Sequence, residues 1–342
     1  MTDNDLFKRL LILRTPGVGP VRYRELIKQF GGVDAVADAV EQSDSIRDAV
    51  LREIENAKKL NVHYICDDMP EYPIQLRKLK NHPPVLSVRG NITTLSRPTV
   101  GIVGTRHATA AGMGFVAELA QKFAEHNIVV ASGMAMGTDT AAHRGALRAN
   151  GENQTIAILA GGVDSIWPLE NESLYWEIIA RGAVISEMPV GFAPMAQNFV
   201  QRNRLIAGIS EKLILGEADL KSGSMTTVRF AIQANREIWA IPSHPSDSRA
   251  AGPNSLIKSG AARLCSGQSD FFKNEKKTFI NVKNEKNFDS ENPILDALGM
   301  IPVSESVLSE IVKKTISEIK SELVVLELQG LVRKVDGGYV RV

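Results

Sequence analysis

Between residues 99 and 272 the chain alternates two rhythms. Runs 99–103, 128–131, 155–159, 183–186, 212–215 and 238–241 are short, rich in β-branched residues and almost uninterrupted by polar ones. Such runs suit strands covered on both faces. Between them, residues 111–126, 138–150, 172–181 and 225–236 carry apolar positions at helical spacing. Strand and helix in regular alternation predict an α/β fold built on a doubly wound parallel sheet.

The flanks follow other patterns. In residues 1–65, Leu6, Leu10 and Leu13, then Val21, Leu26, Ile27 and Phe30, recur at helical spacing around the turn Pro16-Gly17-Val18-Gly19-Pro20. This predicts a small helical domain of helix-hairpin-helix or SAM-like type, whose turn can aim backbone N–H groups at a phosphate. Residues 66–98 are rich in proline and read as a connector leading into the sheet, with one short apolar stretch at 85–88. Residues 273–290 have the polar, Lys- and Asn-rich composition of a linker. The last segment, 291–342, shows helical pieces near 293–298, 306–312 and 316–328. After them come 331–335 and 339–342 around Asp336-Gly337-Gly338. Three helices and a terminal hairpin predict a winged-helix domain.

Composition narrows the function. The chain has 342 residues, of which 44% are hydrophobic and 23% charged, with a formal net charge of +1. A near-neutral chain cannot coat nucleic acid with its whole surface, so any such site must be a local patch. Cys66 and Cys265 have no neighbours at metal-ligand or redox-motif spacing and read as reduced structural thiols. The N-terminus lacks the pattern of a signal peptide and no apolar run is long enough to span a bilayer, so a cytoplasmic protein with no membrane partner is expected.

In an open parallel sheet, ligands sit beyond the carboxyl ends of the strands. The residues found there are Gly104, Thr105 and Arg106 after the first strand, Ser132 and Gly133 after the second, and Gly161 and Gly162 after the third. Glu187 and then Phe199, Arg202, Asn203 and Arg204 follow the fourth; Ser222, Gly223, Ser224 and Thr227 follow the fifth. Successive crossovers thus place Gly, Ser or Thr where helix N-termini present bare N–H groups, a floor of phosphate-sized anion sites. Arg106, Arg202 and Arg204 add cationic forks suited to phosphate. Phe199 and Arg202, three apart, share a face if their stretch is helical, and an aromatic beside an arginine can stack an unpaired base.

Other chemistries lack their residues. No Walker-type phosphate loop, Gly-x-Gly-x-x-Gly after the first strand, nucleophile elbow or His/Cys zinc cluster is present. No cofactor, metal or catalytic group is therefore expected. Asp139 and His143, four apart on one helix, are read as a cap and a packed side chain rather than as a catalytic pair.

Several ordered blocks resemble the DprA/Smf family of DNA-processing proteins. They are 101–106, 132–143, the Gly161-Gly162 turn leading to Trp167-Pro168, 186–189, 199–208, Ser222-Gly223-Ser224 and 249–261. The resemblance implies a Rossmann-like domain that binds single-stranded DNA with little sequence preference. It implies a homodimer that protects incoming DNA and helps load the RecA recombinase during natural transformation, and not an enzyme. The phosphate-contacting loops would be those of residues 105–106, 132–133, 161–162, 202–204 and 222–224. Three positions depart from the family pattern: Thr138, the 225–228 run, and Ser243, where a glycine is usual.

Two other functions compete. Related Rossmann-like phosphoribohydrolases cleave nucleoside monophosphates, but the run 160–164 lacks the Gly-Thr and Glu of their signature. A winged-helix transcription regulator would present helix 316–328 to duplex DNA, yet that helix carries Glu318, Glu322 and Glu327 against Lys320 alone. Phosphates repel such a helix, so the tail is expected to contact protein.

Overall fold

The computed structural model describes residues 2–39, 43–272, 292–299 and 302–342. They fall into two compact units, Met1–Lys273 and Asn274–Val342. The linker read at 273–290 lies outside the described residues.

The first unit opens with four helices, α1 (Asp3–Arg14), α2 (Pro20–Phe30), α3 (Val33–Ala39) and α4 (Asp44–Lys59). Pro20 starts α2, where its missing N–H costs no hydrogen bond, and Gly17 makes the turn before it with φ of 79°. Leu6, Leu10 and Leu11 of α1 pack on Val50 and Ile54 of α4. The chain then enters the sheet earlier than the sequence suggests. His63–Cys66 is a strand, β1; after the short helix α5 (Ile74–Arg77) comes β2 (Val85–Gly90). The pattern at 1–65 read as wholly helical and the segment 66–98 read as a connector, but both contribute to the sheet. β1 pairs antiparallel with β2, and β2 antiparallel with a later strand. The brief 85–88 run signalled a strand; the proline around it obscured that signal.

From there the alternation holds: β3 (Thr99–Val103), α6 (Ala110–Glu125), β4 (Val129–Ser132), α7 (Thr138–Arg148), β5 (Thr155–Ile158), α8 (Glu172–Arg181), β6 (Ala183–Ser186), α9 (Ala196–Ile209), β7 (Lys212–Leu215), α10 (Gly223–Gln233), β8 (Glu237–Ala240), α11 (Ala251–Lys258) and β9 (Arg263–Leu264). The strand order is β1-β2-β6-β5-β4-β3-β7-β8-β9, parallel from β6 to β9. This is a Rossmann-like, doubly wound sheet. Alternate strand residues face opposite layers. Val129, Ala131, Leu213 and Leu215 join a core with Leu205 and Ile206 of α9 and Val228 of α10. Val100, Ile102, Val130 and Ile214 pack under Val116, Leu119 and Phe123 of α6 and Ala142 and Ala146 of α7.

One feature of this order positions a site. From β3 the chain steps through β4 and β5 to β6 on one side, then crosses to β7 on the other side of β3. β3 and β7 therefore flank the switch point, where the following loops diverge and leave a crevice.

The second unit is a winged helix: α12 (Pro293–Ala297), α13 (Glu305–Val312), α14 (Ile316–Leu328) and the hairpin β10 (Val332–Val335) and β11 (Gly338–Arg341). Ile294, Leu308, Ile319, Leu323 and Val332 form its core. Its acidic helix keeps its charges at home. Glu318 accepts from the Thr315 N–H at 2.8 Å in a capping box, Glu322 pairs with Lys314 at 2.5 Å, and Glu327 accepts from the Lys334 N–H at 3.2 Å. Val324, Val325 and Leu328 on the same helix are exposed. Among the described residues no helix is long and apolar enough to cross a membrane.

Candidate functional site

A crevice of about 300 Å³ opens at the carboxyl ends of β3 and β7. Its first wall is the loop after β3. Gly104 is crowded from two sides: a Cβ there would overlap the Thr138 side chain at the start of α7 and sit 2.9 Å from the Glu217 carbonyl oxygen in the loop after β7. The Thr105 N–H donates to that same oxygen at 2.6 Å. The Glu217 carboxylate accepts from the Thr109 N–H at 2.7 Å and its hydroxyl at 2.5 Å, which fixes the start of α6. Thr138 supports the loop from below, donating to Thr105 O at 3.2 Å through its hydroxyl. This departure from the family pattern thus becomes part of the wall. Ser243, which stands where a glycine is usual, is not among the residues with positive φ and exchanges hydrogen bonds with Asn254 at 3.3 and 2.8 Å.

The second wall is the start of α10. Ser222 caps it, accepting from the Ser224 N–H at 3.4 Å, and its hydroxyl lies 2.6 Å from that of Ser224. Gly223, the first residue of α10, is exposed, and nothing lies within 4 Å of where a Cβ would stand. The third wall is α9. Residues 196–209 are helical, so Phe199, Arg202, Asn203 and Ile206 recur on one face and all four line the crevice. Asn203 donates to Gly223 O at 3.4 Å and holds the two helices together.

Ten of the residues singled out from sequence meet here: Gly104, Thr105, Arg106, Phe199, Arg202, Asn203, Ser222, Gly223, Ser224 and Thr227. They do not all face outward. Arg202 is buried, 6% exposed, and its Nη1 donates to Gly133 O at 2.6 Å and Ile158 O at 2.5 Å. It ties the ends of β4 and β5 together. Burial lowers its pKa to about 10. The guanidinium lies so close to Gly133 that a side chain there would overlap it, which is the reason for glycine at that position.

Five of the expected residues lie outside this crevice. Ser132 is the last residue of β4 rather than the first beyond it, and its buried hydroxyl donates to Ile102 O at 2.6 Å. Gly133 lies under Arg202. Gly161 and Gly162 are taken up by loop packing, with Phe192 O 2.7 Å from a Cβ at Gly161. Arg204 points the other way along α9, where it pairs with Glu187 and donates to Asn81 O at 3.0 Å. Burial raises the Glu187 carboxyl above its ordinary range, against the pull of Arg204.

Asp139 also lines the crevice, but it sits inside the first turn of α7, whose cap is Gly137. It accepts from the Gly133 and Ala135 N–H groups at 3.2 and 3.3 Å. Burial raises its pKa, opposed chiefly by Arg202. His143 is fully buried one turn on. Thr155 already donates its hydroxyl proton to Val130 O, so His143 Nδ1 must donate to Thr155 Oγ1, at 2.7 Å. Burial, helped by Arg202, lowers the imidazole pKa to about 3. Both groups brace the floor. Among the described residues no cluster of three His, Cys, Asp or Glu is placed to hold a metal.

Arg106 differs from every other arginine at the site. It is exposed and has no carboxylate partner among the described residues. Its Cζ lies 4.9 Å from the Trp167 ring centroid and 5.8 Å from that of Phe199. The two rings meet edge to face at 4.6 Å. Trp167 had no role assigned from the sequence; it reaches the rim from the loop after β5, a contact that no local spacing reveals. The crevice therefore offers a cation with no carboxylate partner among the described residues, the exposed N-terminus of α10, hydroxyls and an aromatic pair, over a floor of buried polar groups in which Arg202 Nε and His143 Nε2 have no hydrogen-bond partner among the described residues. Such a surface suits a phosphate-bearing chain with unpaired bases.

Residues 63–276 match the family DNA recombination-mediator protein A. Residues 3–54 match the DprA-like N-terminal HHH domain, and 287–338 the DprA winged helix domain. The Smf protein of Synechocystis is 34% identical over 73% of this chain, a match that spans 57% of that protein's length. Among solved structures, DNA processing protein A from Streptococcus pneumoniae superposes with a TM-score of 0.63 at 29% identity, covering 79% of this chain and 96% of that one. DNA processing protein A from Helicobacter pylori, described for its single-stranded DNA binding mode, gives 0.56 at 30% identity over 61% of this chain and 94% of that one.

Proposed function

The chain belongs to the DNA recombination-mediator protein A (DprA/Smf) family, and from that premise we propose that it binds single-stranded DNA in the crevice between β3 and β7. Phosphates lie against the N-terminus of α10, the Thr105 loop and the free guanidinium of Arg106. The unpaired bases remain near the aromatic rim. The protein acts by holding the strand, with no step of bond chemistry. In the cell this corresponds to protecting incoming DNA in the cytoplasm and, as a homodimer, helping RecA to load during transformation or recombination.

The observation that carries the reading is a contrast in pairing among the arginines that follow the strand ends: Arg106 is exposed on the crevice and has no carboxylate partner among the described residues, whereas Arg202 beneath the crevice and Arg204 outside it are engaged within the protein. A cation with no carboxylate partner among the described residues, placed beside a helix N-terminus, is positioned to meet an anion.

Labelled single- and double-stranded oligonucleotides, titrated across a salt series, test it. Wild type is expected to prefer the single strand, with affinity falling as salt rises. Arg106→Ala should lose about tenfold in affinity, alike for all sequences, and flatten the salt slope by about one unit. Absent binding, or equal affinity for duplex, overturns the reading and points to a small nucleotide ligand, checked by release of base from AMP or CMP.

A further inference from the structure

Resting on the single-strand reading, we infer that Trp167 is the stacking platform for a nucleobase at the mouth of the crevice. Phosphate recognition alone does not explain the rim. Trp167 keeps 37% of its surface exposed although it is one of the largest apolar groups available for burial. It is held there: Phe199, half-buried on α9, meets it edge to face at 4.6 Å, and Arg106 lies 4.9 Å from its centroid. Phe199 and Arg106 both line the crevice, so the indole stands where a strand must pass as it leaves the phosphate site.

The division of labour follows from geometry. Phe199 belongs to a helix and is partly enclosed, so it supports the indole. Trp167 belongs to a loop and presents the larger π surface. The guanidinium that rests against it in the free protein is planar and weakly hydrated, the kind of group a base can replace or join in a stack. Once a phosphate draws Arg106 away, the indole is free to take a base. Stacking of this kind accepts every base, because each has a π face. The platform therefore discriminates single strand from duplex without reading sequence.

The test separates bases from phosphates. A thymidine oligonucleotide and an oligonucleotide of equal length made of abasic units carry the same phosphates. Wild type should bind the thymidine strand about tenfold more tightly, with quenching of tryptophan fluorescence that the abasic strand does not produce. Trp167→Ala should bind both probes equally, at the abasic level. Trp167→Phe should restore most of the preference while losing the quenching, which keeps the test valid if the alanine variant folds poorly. Equal binding of the two probes by wild type overturns the platform and leaves phosphate binding standing. A Trp167→Ala protein that weakens both probes alike also overturns it, since the ring would then only steady Arg106. If wild type binds neither probe, the single-strand reading fails and the platform with it.

Discussion

On the floor of the crevice, Arg202 commits its guanidinium to the carbonyls of Gly133 and Ile158, Asp139 accepts two backbone N–H groups, and His143 is locked in one tautomer by Thr155. On the rim, Arg106 lies over the rings of Trp167 and Phe199 and has no carboxylate partner among the described residues. Both regions follow strand ends and both hold an arginine. Burial separates them: a charge out of water must be engaged by the protein, and once engaged it has less to offer a ligand. The floor keeps the strand ends in register, and the rim meets the solvent.

Substitutions can break that comparison in graded ways. The largest effect belongs to Arg202→Ala, which removes two charged hydrogen bonds and strands two buried carbonyls. Chemical denaturation should show a loss of about 3 kcal/mol. An unchanged unfolding midpoint with weakened DNA binding would instead place Arg202 with the rim.

Next comes acid. The folded pKa of His143, about 3, lies below its ordinary 6.5. The unfolded chain takes up the proton first, so the stability of the neutral imidazole is complete above pH 6.5. It is lost progressively as pH falls toward 3, and levels off below that. Between pH 7 and pH 5 this amounts to about 2 kcal/mol. Asp139, whose carboxyl is raised by burial, contributes with the opposite sign, so His143→Gln isolates the histidine: its stability should change less over that interval. An identical pH slope in the variant would show that the imidazole is not the group responsible.

Arg106→Ala is smaller again and of a different kind. Its unfolding free energy should match wild type within about 0.5 kcal/mol, while the affinity loss appears in the oligonucleotide titration. A clear loss of stability would mean that the cation over the two rings belongs to the fold. The smallest effect is expected from deleting residues 290–342. The acids of α14 are engaged within their own unit, and the same helix exposes Val324, Val325 and Leu328. Single-strand affinity should therefore survive, and a collapse in a folded truncation would assign the winged helix to DNA.

Six of the seven parallel strands were legible in the sequence because strands buried on both faces leave short but nearly unbroken apolar runs; β9, two exposed residues long, left none. The two antiparallel strands were not: β1 is short with an exposed first residue, and β2 is set among prolines. The crevice was legible as a set of strand ends. What the sequence could not supply was the direction of each side chain. Arg202 and Arg204, two residues apart on α9, leave the helix on different faces, one inward beneath the crevice and one toward Glu187. Ser132 moved from loop to strand through a shift of one residue. Trp167 and Glu217 became visible only when separate loops met.

The antiparallel pair has a bearing on where the chain can be cut. β1 covers the outer side of β2, whose Val85, Leu86, Ser87 and Val88 are all buried. The helical front is joined to this seam by Arg14 and Tyr64, which share the carboxylate of Glu53. A shortened chain beginning after β1 would present an apolar strand with one row of unmet N–H and C=O groups, a template for a neighbouring copy. The four leading helices thus bring with them the selvedge of the sheet, and a trimmed Rossmann-like domain would be expected to stick to itself before it met any DNA.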